Sequence, residues 1–187
     1  MKLKQAYTVI YIKDKTTNKF LFLYRNKKKN DINHGKYIGI GGKIEPGESK
    51  DECILREVYE ETNLTLNTFY YMGEVRYIDI GSSTYEKMYV YYSDDYTGEI
   101  KECSEGTLKF MSEEEFYESP HWEGDKIFLD YALKNIPFKS VDYYYLNGFN
   151  FKTILLKAQC QILGRLIDLS LSFYVKTNIY TYFHIYT

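Results

Sequence analysis

Residues 41–64 read GGKIEPGESKDECILREVYEETNL, and from Gly42 onward they carry seven carboxylates: Glu45, Glu48, Asp51, Glu52, Glu57, Glu60 and Glu61. Residues 48–62 are expected to form a helix, with Asn63 where a left-handed cap belongs. At about 100° per residue, Glu57, Glu60 and Glu61 fall within an arc of about 100°. They make a carboxylate stripe beside Ile54 and Val58, which should face the core. Like charges this close repel, and cost stability unless a cation lies among them. Carboxylate oxygens suit a hard ion such as Mg²⁺, with Mn²⁺ able to substitute. Arg56, four residues before Glu60, can pair with it and orient it.

The Gly41-Gly42 turn should bring backbone carbonyls and amides against the same face, because no Cβ intervenes. Glu48, in the first turn, suits the helix dipole and could also reach the ion. Taken alone, a charge-rich helix is more often a solvated face than a metal site; the spacing changes that weighting. Gly42 is followed by five residues and Glu48, seven more and Arg56-Glu57-Val58, one more and Glu60-Glu61, then one more and Asn63-Leu64. This resembles the signature of the Nudix hydrolase family, G-x5-E-x7-R-E-U-x-E-E-x-G-U, in which U is a bulky aliphatic residue. Eight of the nine specified positions match. The exception is Asn63, where the family has Gly. Asn is the next-best residue for a left-handed cap, so the departure should cost stability and no chemistry.

Flanking segments extend the resemblance. YRNKKKND before the box, HGKYIGIGGKIEPGE leading into it, and SEGTLKFM and SPHWEGDKIFLDYAL after it look like the MutT-type 8-oxo-dGTP diphosphatase branch, over about residues 5–153. The resemblance implies an α+β fold: an α/β/α sandwich, a mixed sheet between helices, with the box as loop-helix-loop. It implies metal ligands at Glu57, Glu60 and Glu61, a contribution from the Gly41 carbonyl, and Gly42, Glu48 and Arg56 as the supporting box. Glu105, in the SEGT loop, matches a position that approaches the metal from the opposite side, as a further ligand or a base for water; a solvated loop acid is the alternative. The catalytic set would then be Glu57, Glu60, Glu61 and Glu105. Mg²⁺ would neutralise phosphate oxygens, a carboxylate such as Glu61 or Glu60 would orient or deprotonate water, and the products would be a nucleoside monophosphate and pyrophosphate. Arg25 and Lys43 could hold phosphate oxygens, although Arg25 could equally be a solvated strand end; Lys27, Lys28 and Lys29 are expected to be a solvated loop. Trp122 offers a face for purine stacking and Asp125 an acceptor for the purine edge, with a core aromatic as the alternative for Trp122. Two positions depart from the branch. Gly124 replaces a second acid, and Ile38 stands where some relatives read the base with Asn. Both put strict 8-oxo-guanine selectivity in doubt.

The elements that must position these residues are expected as strands at 6–12, 19–25, 37–40, 69–80, 85–92 and 107–111. A short helix at 112–118 should begin with a Ser112/Glu115 capping box, and a second helix should cover 124–134. A late hairpin is expected from 142–145 and 150–154 around Asn147-Gly148. With 187 residues the chain suits one domain, placed at residues 1–154, followed by an apolar extension at residues 155–187. There Leu155, Ile162, Leu166 and Leu169 suit a helical stripe that Gly164 weakens; packing on the domain or forming a homodimer is the leading expectation, with a segment lying on a membrane surface or a tail from an altered reading frame as the alternatives. A net charge of −2 supplies no global field for a nucleic-acid polymer. Three cysteines outside any CxxC pattern read as reduced thiols in a cytoplasmic protein, and no apolar run is long enough for a membrane span. The 22 tyrosines read first as compositional bias. The leading expectation is a Mg²⁺-dependent nucleoside triphosphate diphosphatase. The alternatives are hydrolysis of another nucleoside diphosphate-X compound, such as ADP-ribose or a dinucleoside polyphosphate, and a Nudix-type nucleotide-binding module without turnover.

Overall fold

The computed structural model describes residues 1–146, and residues 154–162 and 165–169 as strands. Strands β1 (Lys2–Asp14) and β2 (Lys19–Tyr24) form the expected antiparallel hairpin, registered from Ile12 against Leu21 to Asp14 against Lys19. The Asp14 carboxylate closes the turn by accepting the Thr16 N–H at 2.7 Å and the Thr17 hydroxyl at 3.0 Å. A short β3 (Tyr37–Ile38) pairs with β2. Two long strands follow helix α1 (Lys50–Thr62): β4 (Thr65–Asp79) and β5 (Thr84–Thr97), which pair antiparallel. Then come β6 (Thr107–Met111), α2 (Glu113–Glu118), a 3₁₀ turn at Glu123–Asp125, α3 (Lys126–Leu133) and β7 (Ser140–Leu146).

One mixed sheet runs in the order β3-β2-β1-β5-β4-β7 and continues through β8 (Ile154–Ile162) and β9 (Arg165–Leu169), with β6 also paired to β2. The pairs β1–β5 and β4–β7 are parallel. Side chains alternate across this sheet, as period two requires. From β1, Val9 and Tyr11 enter one core with Phe22, Phe116, Phe128, Leu129 and Val141, under α2 and α3. Ile10 and Ile12 enter the other with Leu21, Leu23, Ile54 and Val58, under α1. Helices on both faces of a mixed sheet make the expected α/β/α sandwich.

β1, β4 and β5 run longer than expected and β3 stops at Ile38. Three further differences from the sequence expectation have a local reason. Helix α1 starts at Lys50 rather than 48 because Ser49 caps it: its side chain accepts the Glu52 N–H at 3.2 Å while Glu52 accepts the Ser49 N–H at 2.8 Å. The helix expected over 124–134 begins as the 3₁₀ turn and becomes α-helical only from Lys126. The helical stripe expected in the extension is replaced by strands. β8 lies antiparallel on β7, from Leu146 opposite Ile154 to Ser140 opposite Gln161, and β9 lies on β8. The edge of β7 needs a strand partner, and that demand outweighs an i, i+3, i+4 pattern already broken by Gly164. The Asn147-Gly148 turn and residues 150–153 of the expected hairpin lie outside the described residues, as do the side chains of the extension on which a dimer contact would depend. No helix among the described residues is long and apolar enough to cross a membrane.

Candidate active site

The turn before α1 is pinned to β1. Thr8 N–H donates to the Gly42 carbonyl at 2.8 Å, Ile10 N–H to the Ile40 carbonyl at 2.8 Å, and Ile44 N–H to the Ala6 carbonyl at 3.0 Å. Gly41 is required by the backbone, and Gly42 leaves room for the Glu57 carboxylate. Gly41 has φ +148°, and a side chain on it would collide with the Thr8 carbonyl; a Cβ on Gly42 would collide with the Glu57 carboxylate. α1 is anchored beneath this turn by Ile54 and Val58, both fully buried. Its far end closes at Asn63, φ +63°, whose N–H donates to the Tyr59 carbonyl at 2.8 Å and whose side-chain amide donates to the Glu99 carbonyl at 3.0 Å. That second bond gives Asn a role that the family's Gly cannot fill.

Arg56 gathers the outer acids. Its Nε donates to Glu48 Oε1 at 2.7 Å and its Nη2 to Glu48 Oε2 at 3.0 Å, a two-point clamp. Nη1 reaches Glu57 at 2.8 Å and Glu60 at 3.2 Å, and Nη2 also donates to the Lys43 carbonyl at 3.2 Å. The expected Arg56–Glu60 pair is present, within a larger set. Glu48, held by Arg56 and by the Glu45 N–H, is lowered to about 2. It serves Arg56 and the turn, not an open coordination position. Glu60 remains 58% exposed.

The inner acids are desolvated. Glu61 is 6% exposed, and burial, reinforced by Glu57 and Glu105 nearby and opposed by the Gly41 N–H, pushes it up to about 8. The Gly41 amide donates to Glu61 Oε2 at 3.0 Å. Burial also raises Glu57, against the pull of Arg56. Glu105 faces this group from the β6 side. Burial opposes its ionisation, but Lys28 and Arg25 outweigh burial and hold it below the usual carboxylate range. Glu105 is thus an ion-paired acid facing the box, not a solvated one. Arg25 lies between β2 and the box: it binds Asp31 through Nε at 2.5 Å, Glu105 through Nη1, and stands 3.7 Å from Glu61. Lys27, Lys28 and Lys29 are all exposed, in keeping with a solvated loop, but two of them also carry ion pairs. Lys28 pairs with Glu105, and Lys27 with Glu102 at 2.5 Å and the Cys103 carbonyl at 2.7 Å. Lys43 is exposed.

On the β3 side, Trp122 is 37% exposed and is not a core residue. Its indole N–H donates to Asn33 Oδ1 at 2.8 Å, and the Lys36 ammonium sits 4.2 Å from the ring centroid. Asp125 follows on the 3₁₀ turn. Burial pushes its carboxyl up to about 7, and its charge is felt by the hydroxyls of Tyr11, Tyr77, Tyr117 and Tyr145. These tyrosines escape a sequence reading, because β1, β4, α2 and β7 bring them together only in space. Tyr143 donates its hydroxyl to the Gly124 carbonyl, fixing the turn.

As placed, no three His, Cys, Asp or Glu side chains among the described residues stand close enough together to enclose an ion. Arg56 lies between Glu57 and Glu60, and Arg25 between Glu61 and Glu105. The donor set nonetheless fits a hard divalent cation. It is all oxygen, it crowds Glu57, Glu61 and Glu105 into mutual repulsion, and burial leaves two of them with raised pKa values that a cation would reverse.

A glycine turn, a capped acidic helix on one face of a mixed sheet and an opposing acid define a class, and residues 2–132 match the NUDIX domain; the chain belongs to the Nudix family and is a MutT-like Nudix hydrolase. Such hydrolases generally use divalent metals. Among curated relatives, the oxidized purine nucleoside triphosphate hydrolase of Danio rerio is 28% identical over 107 residues, 57% of this chain and 69% of that protein. The Mus musculus protein of the same name is 23% identical over 111 residues, 59% of this chain and 71% of that one. Of solved structures, the mMutator MutT protein from Bacillus halodurans superposes with a TM-score of 0.68 at 23% identity, covering 83% of this chain and 97% of that one. The MutT protein from Methanosarcina mazei Go1 does so with a TM-score of 0.58 at 23% identity, covering 72% and 96%. At these identities the structural likeness speaks for the fold.

Proposed function

We propose that this Nudix hydrolase is a Mg²⁺-dependent nucleoside triphosphate diphosphatase that converts an oxidised purine nucleotide such as 8-oxo-dGTP to its monophosphate and pyrophosphate. The observation that carries the reading is Glu61, a carboxyl shielded from water beside two further acids, a costly arrangement unless a cation completes it. Bound Mg²⁺ supplies charge neutralisation at the phosphates and a water of lowered pKa. Glu57, Glu60 and Glu61 would hold it with the Gly41 carbonyl, and Glu105 would face it from β6. Glu61 or Glu60 would take up the water's proton. Lys43, which is exposed, would hold phosphate oxygens; Arg25 could do so only by releasing one of its acids.

The purine is assigned to the face of Trp122, where stacking contributes roughly 1–3 kcal/mol in comparable settings. Asp125, near half-protonation at neutral pH, could meet the purine edge as donor or acceptor. The names of the curated relatives support the oxidised-purine choice. The test is turnover of 8-oxo-dGTP, dGTP, ADP-ribose and a diadenosine polyphosphate with Mg²⁺, scoring pyrophosphate against monophosphate. Pyrophosphate release with preference for 8-oxo-dGTP is expected. Preference for another member would discard the substrate and keep the chemistry, with Ile38 and Gly124 the residues to examine first.

A further inference from the structure

We infer that Asp31 is a positioning residue that ties the seat of the base to the catalytic carboxylates, a role that rests on the reading of Trp122 and Glu61 above. The loop of residues 26–36 leaves β2 at Arg25 and returns to it: Gly35 N–H donates to the Arg25 carbonyl at 2.7 Å and Arg25 N–H to the Lys36 carbonyl at 3.0 Å. Asp31 sits inside this closed loop, and its two oxygens work in different directions. Oδ2 accepts Arg25 Nε at 2.5 Å; Oδ1 accepts the Asn33 N–H at 3.0 Å. Each partner then reaches one half of the site. Arg25 extends Nη1 to Glu105 and to within 3.7 Å of Glu61. Asn33 accepts the Trp122 indole N–H at 2.8 Å.

The result is a continuous path of polar contacts, Trp122–Asn33–Asp31–Arg25–Glu61/Glu105. The Arg25 and Asp31 side chains are each only 12% exposed, so water competes weakly for their bond. A purine seated on Trp122 fixes Asn33 and Asp31, and through them fixes the guanidinium that sets where Glu61 and Glu105 point. A poorly seated base leaves those acids less well placed. Selectivity is then expressed in kcat as well as in KM, since part of the base's binding energy goes into orienting the reacting centre.

The full chain contains a single tryptophan beside 22 tyrosines, so emission excited at wavelengths too long for tyrosine to absorb reports Trp122. Titration with Mg²⁺ alone should shift that emission in the wild type, because a cation at Glu61 and Glu105 draws them from Arg25 and the change passes to Asn33. Asn33→Ala should abolish the shift and lower kcat for 8-oxo-dGTP by about tenfold, not merely raise KM, while Asn33→Asp, which keeps an acceptor for the indole N–H, should restore both. Asp31→Asn retains the acceptor for Asn33 but loses the charge facing Arg25; it should lower kcat while leaving the emission of the metal-free protein unchanged. Circular dichroism confirms folding of each variant, and the Asn33 pair keeps the test open if the Asp31 variant unfolds. Emission unmoved by Mg²⁺ concentrations that activate turnover, or an Asn33→Ala variant with raised KM at unchanged kcat, would overturn the relay. A wild type whose emission answers to Mg²⁺ yet hydrolyses no nucleotide would uphold the relay and overturn the proposed function instead.

Discussion

Glu61 titrates at about 8 in the fold, against 4.5 for an ordinary glutamate. An acid whose pKa rises on folding stabilises the protein fully below its unfolded pKa and loses that contribution as pH climbs through the folded value. The metal-free protein should therefore melt at progressively lower temperature from about pH 5 to about pH 8, and Asp125, raised to about 7, acts in the same direction. Thermal melts in chelator should show the slope, Glu61→Gln should remove its Glu61 share, and Mg²⁺ should flatten it. Glu57→Gln should lower kcat by about 10²–10³-fold in a pyrophosphate-release assay, the range for loss of a group that stabilises transition-state charge. Glu57, Glu60, Glu61 and the Arg56–Glu60 pair are legible in the sequence because one helix carries them at fixed angular offsets. The Lys28–Glu105, Arg25–Glu105 and Trp122–Asn33 contacts span 77, 80 and 89 positions, and no local periodicity connects loops so far apart.

Among the elements, β6 spans residues 107–111 as expected, and a capping box fixes a helix start wherever it is read, because capping residues announce a helix by their own hydrogen bonds. The Ser112/Glu115 box locates α2, whereas passing over the Ser49/Glu52 box of α1 sets its start two residues early. The extension carries no such marker: its apolar spacing fits a helix as well as a strand, and the bare edge of β7 decides between them. At the far end of α1, Asn63→Ala should destabilise the protein by about 1–2 kcal/mol, since alanine tolerates a left-handed backbone poorly and cannot reach the Glu99 carbonyl. Asn63→Gly should stay within about 1 kcal/mol of wild type, because backbone relief offsets the lost bond. Denaturant midpoints at constant m-value would measure both.

For the whole molecule, the extension of the sheet past β7 has a testable role. A chain ending at residue 146 leaves the β7 edge unpaired, with Val141 and Tyr143 buried just behind it. Size-exclusion chromatography of that truncation should show self-association; a well-behaved monomer would mean that β8 is dispensable. The parallel pairing of β1 with β5 carries a different consequence, one of timing. β1 shares only the pairs Ile12–Leu21, Lys13–Phe20 and Asp14–Lys19 with its neighbour in sequence, whereas it runs beside β5 from Lys2 to Ile12. During synthesis the first strand therefore leaves the ribosome long before the partner that completes it. The β1 edge that pairs Val9 with Val90 and Ile10 with Tyr91 remains open to water, and to other chains, until β5 has emerged. The turn that cradles Glu57 hangs on β1, so the acidic site cannot be completed any earlier, and a nascent chain stalled short of β5 should bind chaperones.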